Sequence, residues 1–362
     1  MEKKLKKIVL LLLTPLLIFS LTACKIGSHN EEAVRAKIKD YLYQKYGEEF
    51  IVDRIGTRND DGITEYVARI YPKSIIGTNK EGDSYYYGSA SVDKLSFGRL
   101  DEPGDSYSYV KMNLTGEKYL MPKVKEIFGD RVLLKVDSEL KVWGRDDLIV
   151  KEYRKRDKNS NGVDAFLGYK ESDFRVARKR VINDPKNNRL EIELYIYIFD
   201  RIDNEKEERR KQIFDFVQYL KQEGLFKYLE LGVIFIDERV LATGYREYRQ
   251  KINCSERVKE VIDGETVKLP PIELRKEMSE VLQREVDGMS EEELLASMGK
   301  IRKSELKDLI KYNMHSIALV YSLGILEEKY PSSITEEDKK NKYDVLDNII
   351  LERPYNYMYI NN

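Results

Sequence analysis

Apolar and polar positions change their period several times along this chain. Ile8 to Phe19 is an apolar run broken only by Thr14 and Pro15. From Glu31 onward, Val34, Ile38, Tyr41 and Leu42 recur at helical spacing, and Gly47 closes that segment. Residues 50–55 and 63–71 read as strands joined through the turn residues Asn59, Asp60, Asp61 and Gly62. Residues 72–114 are rich in Gly, Ser, Asp and Tyr, which predicts strands and long loops. A helix is expected over 117–128, with Leu120, Val124, Ile127 and Phe128 at core spacing, and a strand over 131–137.

Residues 151–172 are polar and break the periodicity, so the sequence places a domain boundary there. Beyond it lies the clearest strand pattern. Leu190, Ile192, Leu194, Ile196 and Ile198 face one way, and Glu191, Glu193, Tyr195 and Tyr197 the other. Asn204 with Glu207 gives an amide variant of a capping box. It opens a helix to about Gln222 that carries Ile213, Val217 and Leu220 inward, and residues 228–237 form a second strong strand, which makes β–β–α–β the expected kernel. Helices are predicted over 273–286, over 290–298 with Ser290 capping against Glu293, and over 304–328. Helices and strands are mixed without regular alternation, which predicts an α+β fold. The expected organisation is a removed segment 1–23, a tether 24–30, an α+β domain 31–150, a linker 151–172, a second α+β domain 173–270 and a helical region 271–362.

The apolar run at the start carries the strongest functional signal. Four lysines and Glu2 precede or border it, and Ser20, Leu21, Thr22, Ala23 and Cys24 close it. Basic segment, apolar segment, then small residues is the order of a signal peptide. A helix through Ile8 to Phe19 would be roughly 18 Å long, short for a bilayer core about 30 Å thick. Leu21-Thr22-Ala23-Cys24 resembles the lipobox of bacterial lipoproteins, and the stretch from Tyr41 to Phe50 resembles the opening of many uncharacterised Gram-positive lipoproteins. The lipobox resemblance implies cleavage between Ala23 and Cys24 and a diacylglycerol thioether on the Cys24 thiol. It also implies an extracytoplasmic protein anchored to the cell membrane. Two acyl chains hold a protein stably where one does not. Lys25 to Asn30 would then tether the first domain within roughly 20 Å of the membrane.

Composition narrows the picture further. The formal charge is −1, and removing residues 1–23 (four Lys, one Glu) leaves −4 on the remaining 339 of the 362 residues. That balance argues against a dedicated nucleic-acid binder. With Cys24 lipidated, Cys254 has no intramolecular partner, so a disulfide-free fold is expected. Cys254 reads as a buried, inert thiol. From Lys151 to Arg189 there are twelve Lys/Arg and six Asp/Glu, a local charge of +6. Such a segment would be drawn to an anionic membrane or cell-wall surface, although linker and strand-edge charges that blunt aggregation are the preferred reading.

Catalytic and cofactor signatures do not emerge. Asp157, Asn159, Asn161 and Gly162 open like a calcium loop, but Gly168 stands where the closing carboxylate belongs. His29, in the tether, and His315, read as lying in an apolar helix, are isolated. The carboxylates Glu207-Glu208 and Glu291-Glu292-Glu293 sit at expected helix starts, where they complement the dipole. Tyr85, Tyr86, Tyr87, Tyr107 and Tyr109 could line a carbohydrate or peptide groove. The expectation is a non-enzymatic lipoprotein without cofactor or metal that binds an envelope component or a partner protein. The alternative is an envelope hydrolase whose carboxylates lie far apart in sequence.

Overall fold

Val34, Ile38 and Leu42 are all buried on one face of helix α1 (Glu31–Tyr46). The structure, a computed structural model, describes residues 31–60, 63–95, 99–142, 167–168, 171–201, 206–262, 265–336, 339 and 342–352. The chain divides into two compact units, Met1–Val110 and Lys111–Asn362. In the first, α1 ends where Gly47 takes a φ of 70° and its N–H donates to the Tyr43 carbonyl, a left-handed helix stop. Strands β1 (Phe50–Asp60), β2 (Ile63–Pro72), β3 (Gly88–Asp93) and β4 (Gly104–Asp105) form an antiparallel sheet in that order. A bulge between Asp53 and Gly56 holds Arg54 at a φ of 50°. Alternate residues Phe50, Val52, Tyr66, Ala68 and Ile70 meet the helix residues in one core. Each large apolar side chain so buried contributes about 1.5–3 kcal/mol.

The second unit is built on a five-stranded sheet of order β11-β8-β7-β5-β6. Helix α2 (Tyr107–Phe128) leads to β5 (Val132–Val142), and the short β6 (Leu167–Gly168) precedes helix α3 (Phe174–Asn183). Strand β7 (Asn188–Asp200), helix α4 (Lys206–Gln222) and β8 (Leu229–Asp237) form a crossover that leaves β7 and β8 parallel. All nine residues of β8 are buried, as expected of a parallel strand covered on both faces. One sheet face packs against Leu120, Val124, Phe174, Ile213, Phe216 and Leu220 of these helices. On the other face, Tyr197, Phe199, Ile234 and Ile236 are covered by helices α5 (Tyr245–Cys254), α6 (Ile272–Asp287) and α7 (Glu291–Met298) together with α8 (Leu306–Asn313). The hairpin β9 (Val258–Ile262) and β10 (Glu265–Leu269) joins α5 to α6. Strand β11 (Met314–Tyr321) pairs antiparallel with β8, and helix α9 (Leu323–Lys329) follows.

The class is α+β, and three sequence expectations change within it. The helix expected over 117–128 begins at Tyr107 and runs through Gly116. A Cβ at Gly116 would lie 3.0 Å from the Phe174 ring, so the glycine serves close packing and does not mark a break. The helix expected over 304–328 is helix, strand and helix: α8, β11 and α9. Ile317, Ala318, Leu319 and Val320 fit either period, and pairing with the edge of β8 decides for the strand. Finally, the division falls between Val110 and Lys111, not within 151–172. Most of that polar stretch lies outside the described residues, but β5 before it and β7 after it pair from Val132↔Ile198 to Val142↔Asn188.

Candidate functional site

Away from its helical cover, the second face of the five-stranded sheet turns polar. Glu139 of β5 stands opposite Glu191 of β7, Lys141 opposite Arg189, and Glu193 opposite Glu230 of β8. Like charges directly opposed destabilise a sheet unless something bridges them. Here α9 supplies the bridges. Lys141 lies 2.6 Å from Glu191 and 3.3 Å from Glu328, and Arg189 also pairs with Glu191 and Glu328. Lys329 reaches Glu193 at 2.5 Å and Glu230 at 3.6 Å. Burial works against the Lys329 charge, but Glu193 and Glu230 outweigh it and raise its affinity for the proton. Burial also pushes the Glu139 carboxyl up; Lys141 pulls it back, while Glu191 and Asp137 add to the rise. Tyr195 lies over Gly232, where a Cβ would meet its ring at 2.7 Å, and its hydroxyl donates to Glu230 at 3.0 Å.

Pinned in this way, α9 forms one wall of a cavity of about 580 Å³. Four aromatic rings line it, from Phe226, Tyr228, Tyr321 and Tyr343, with Lys227, Lys339 and Lys342 and one carboxylate, Glu327. That volume lies in the range of about 300–1,000 Å³ usual for small-molecule sites. Its floor is a rigid corner. Leu229 and Ser322 exchange hydrogen bonds, N–H to Oγ and N–H to carbonyl, each 2.9 Å long, and Ser322 Oγ also accepts from Ile325 N–H to cap α9. The Arg189 guanidinium stacks 4.0 Å from the Tyr228 ring centroid, and Lys227 Nζ lies 5.3 Å from the same centroid.

The opposite wall comes from the C-terminal segment, which α4 holds in place. Gln218 donates to the Tyr343 carbonyl at 3.0 Å, and Lys221 pairs with Asp344 at 2.5 Å. Arg210 donates to the Leu346 and Ile349 carbonyls at 2.9 and 2.8 Å. Tyr343 then meets Phe226 edge to face, with centroids 6.4 Å apart. A further cavity of about 520 Å³ lies between α2 and α4, lined by Lys123, Gln212, Gln218, Tyr219 and Gln222 among others.

A second polar centre belongs to the first unit. The Asp105 side chain is fully buried and accepts from Lys45 at 2.7 Å, Tyr46 at 2.7 Å, Tyr41 at 2.9 Å and the Tyr107 N–H at 2.9 Å. Burial alone would raise its pKa; Lys45 and the two tyrosines outweigh burial and lower it. Every acceptor site points at structure, so this centre is a tie between α1 and the sheet.

The residues singled out in the sequence fall as follows. Ala23, Cys24, His29 and the Asp157–Gly162 loop lie outside the described residues, as do residues 151–166 and 169–170 of the basic segment. Its described part places Arg178, Lys179 and Arg180 on α3, with Arg178 held by Glu223 at 2.8 Å. Cys254, expected to be buried, is exposed at the last residue of α5, because the apolar face of that helix runs through Tyr245 and Ile252 instead. His315 is buried in a strand and not in a helix. Glu207, Glu208 and Glu291–Glu293 do open helices, and Ser290 with Glu293 forms the expected capping box. Tyr86 and Tyr107 are core residues, and Tyr87 stacks on Tyr71 at 4.7 Å. The rings of the cavity are Phe226 and three different tyrosines, Tyr228, Tyr321 and Tyr343, contributed by separate stretches of sequence.

Among the described residues, no group of three or more His, Cys, Asp or Glu side chains is placed to share a metal ion. No described helix is long and apolar enough to cross a membrane. No family model matches the sequence, and no curated protein matches it. Among solved structures the chain is similar to a DUF5037 family protein from Ruminococcus gnavus ATCC 29149, at 16% identity over 60% of this chain and 79% of that one. The TM-score is 0.28, a likeness too slight to carry an argument.

Proposed function

We propose that this chain is an exported lipoprotein, anchored through Cys24, that binds an envelope component in the aromatic and lysine-lined cavity of its second unit. The anchor rests on the order of the first 24 residues: basic, apolar, small, then cysteine. The binding role rests on one observation, the cavity of about 580 Å³ with four rings and three lysines on a corner fixed by Ser322 and Leu229. Rings supply apolar area at low entropic cost, and ammonium groups supply attraction to an anionic ligand. The basic surface of α3 extends the same preference towards a cell-wall or membrane surface.

Two experiments test this. Metabolic labelling with a clickable fatty acid marks the wild-type chain, and Cys24→Ala abolishes the label and releases the chain from membranes. A labelled, membrane-bound variant refutes the anchor. Purified full-length chain in detergent captures envelope fragments, and Lys227→Glu weakens that capture; equal capture by the variant refutes the cavity as the binding site.

A second reading, hydrolysis by carboxylates distant in sequence, is favoured by one observation. Glu139, raised by burial, faces Glu191, which pairs with Lys141 and Arg189, across neighbouring strands. Such a pair could divide acid and base roles. It predicts an envelope-polymer hydrolysis that Glu139→Gln abolishes, and it fails if the wild-type chain shows none.

A further inference from the structure

Two cavities of the second unit meet at one dipeptide. Lys227 and Tyr228 line the cavity of about 580 Å³ and also a neighbour of about 250 Å³. The neighbour is walled by Arg178, Val181 and Ile182 of α3 and by Pro185 just beyond it. The partition between them is held firmly. Arg189 stacks on the Tyr228 ring at 4.0 Å and is itself paired with Glu191 and Glu328. At Gly324 a Cβ would come within 2.7 Å of that ring, so the backbone of α9 closes on its edge. A ring held this way is a pre-organised surface, which costs little ordering when a ligand arrives.

Cations outnumber carboxylates in the lining. Lys227, Lys342 and Lys339, the last paired with Glu336, border the larger cavity, and Arg178, paired with Glu223, borders the smaller, with Glu327 the one carboxylate in the lining of the larger. Between the charges stand rings with hydroxyl tips, from Tyr228, Tyr321 and Tyr343. Such rings present an apolar face to a sugar or polyol carbon skeleton and a hydroxyl to its polar edge. Lysine ammonium groups are point charges that suit a phosphate or a carboxylate without demanding one fixed geometry.

We infer that the two cavities are consecutive subsites of one groove, which takes a polymer of sugar or polyol units carrying anionic groups, with Tyr228 as the platform between units. This rests on the reading of the larger cavity as the ligand site. It adds that ligand length matters, and that Ile182, half exposed and lining the smaller cavity but not the larger, touches only the second unit of the ligand.

Calorimetric titration of the full-length chain in detergent tests the inference. The probes are glycerol phosphate and glucuronic acid as single units, each compared with its own oligomer; the two series distinguish phosphate from carboxylate polymers. The oligomer of the preferred series binds at least about tenfold tighter than its single unit, as expected when a second contact becomes intramolecular. Ile182→Asp, a change on an exposed position, removes that gain and leaves single-unit affinity unchanged, whereas Tyr228→Ala weakens both. Equal affinity for unit and oligomer, or a gain that survives Ile182→Asp, overturns the two-subsite groove while leaving the larger cavity as a site. No binding by any probe at either length, or binding only to anionic lipid vesicles, overturns the groove and the ligand-site reading together.

Discussion

A Cβ atom on Gly324 would lie 2.5 Å from the carbonyl oxygen of Lys227. No real side chain fits there, and the obstructing atom is backbone, which cannot swing aside. The first turn of α9 therefore rests directly on the chain that enters β8, and the cavity corner depends on a missing methyl group. Gly324→Ala is expected to cost about 1–3 kcal/mol, in the range of overpacking elsewhere, and to weaken ligand capture by moving α9. Chemical denaturation alongside the capture assay checks it; a variant of wild-type stability and capture would show that the corner can relax.

Asp105 makes the acid stability of the first unit predictable. Its pKa lies below that of an unfolded aspartate because Lys45, Tyr46 and Tyr41 outweigh its burial. A depressed carboxyl stabilises the fold above the unfolded value of about 3.9, and that contribution is lost as pH falls through the folded value. Asp105→Asn should cost about 1–3 kcal/mol at neutral pH by leaving buried partners poorly satisfied. The gap to wild type should close as the pH falls below about 4. Urea unfolding across that range measures it, and a gap independent of pH would contradict the assignment.

Cys254 is exposed at the end of α5. A thiol reagent should therefore modify Cys254 in the folded chain without denaturant, as mapped by peptide mass spectrometry, and Cys254→Ser should remove the labelled peptide while leaving stability within about 0.5 kcal/mol. Modification that appears only after unfolding would place the thiol inside.

Ser290 caps α7 by accepting from the Glu293 N–H at 3.3 Å, and Glu293 reaches back to the Ser290 N–H at 2.8 Å. Ser290→Ala is expected to cost about 1 kcal/mol, with the loss appearing first as faster amide exchange in residues 291–298. Unchanged exchange there would show that packing of Leu294 and Met298 alone holds the helix.

What could be read in the sequence was local. The spacing of Val34, Ile38 and Leu42 placed α1, the alternation around Leu190–Ile198 placed β7, and Ser290 with Glu293 announced α7, because each signal sits within a few residues. The start of the helix expected over 117–128 was missed because the helix runs through Gly116, whose role is set by the ring of Phe174, 58 positions away. Ile317 to Val320 misled because four apolar residues in a row suit a helix or a strand, and only the edge of β8 chooses. The boundary at 151–172 was drawn from composition, yet the strands flanking it share a ladder. The cavity was invisible for the same reason. Its rings come from Phe226, Tyr228, Tyr321 and Tyr343, brought together by a crossover and by a C-terminal segment held on α4. The sequence pointed instead to clusters of adjacent tyrosines, of which Tyr86 and Tyr107 are core residues and Tyr87 stacks on Tyr71.

The most direct test of the binding account is hydrogen exchange on the full-length chain in detergent, with and without purified anionic envelope polymer. The account predicts slowed exchange at residues 226–228 and 321–327, extending to 181–185 when the polymer is long. Slowing confined to the cavity between α2 and α4, around Gln212 and Tyr219, or no slowing with polymer demonstrably bound, would contradict it.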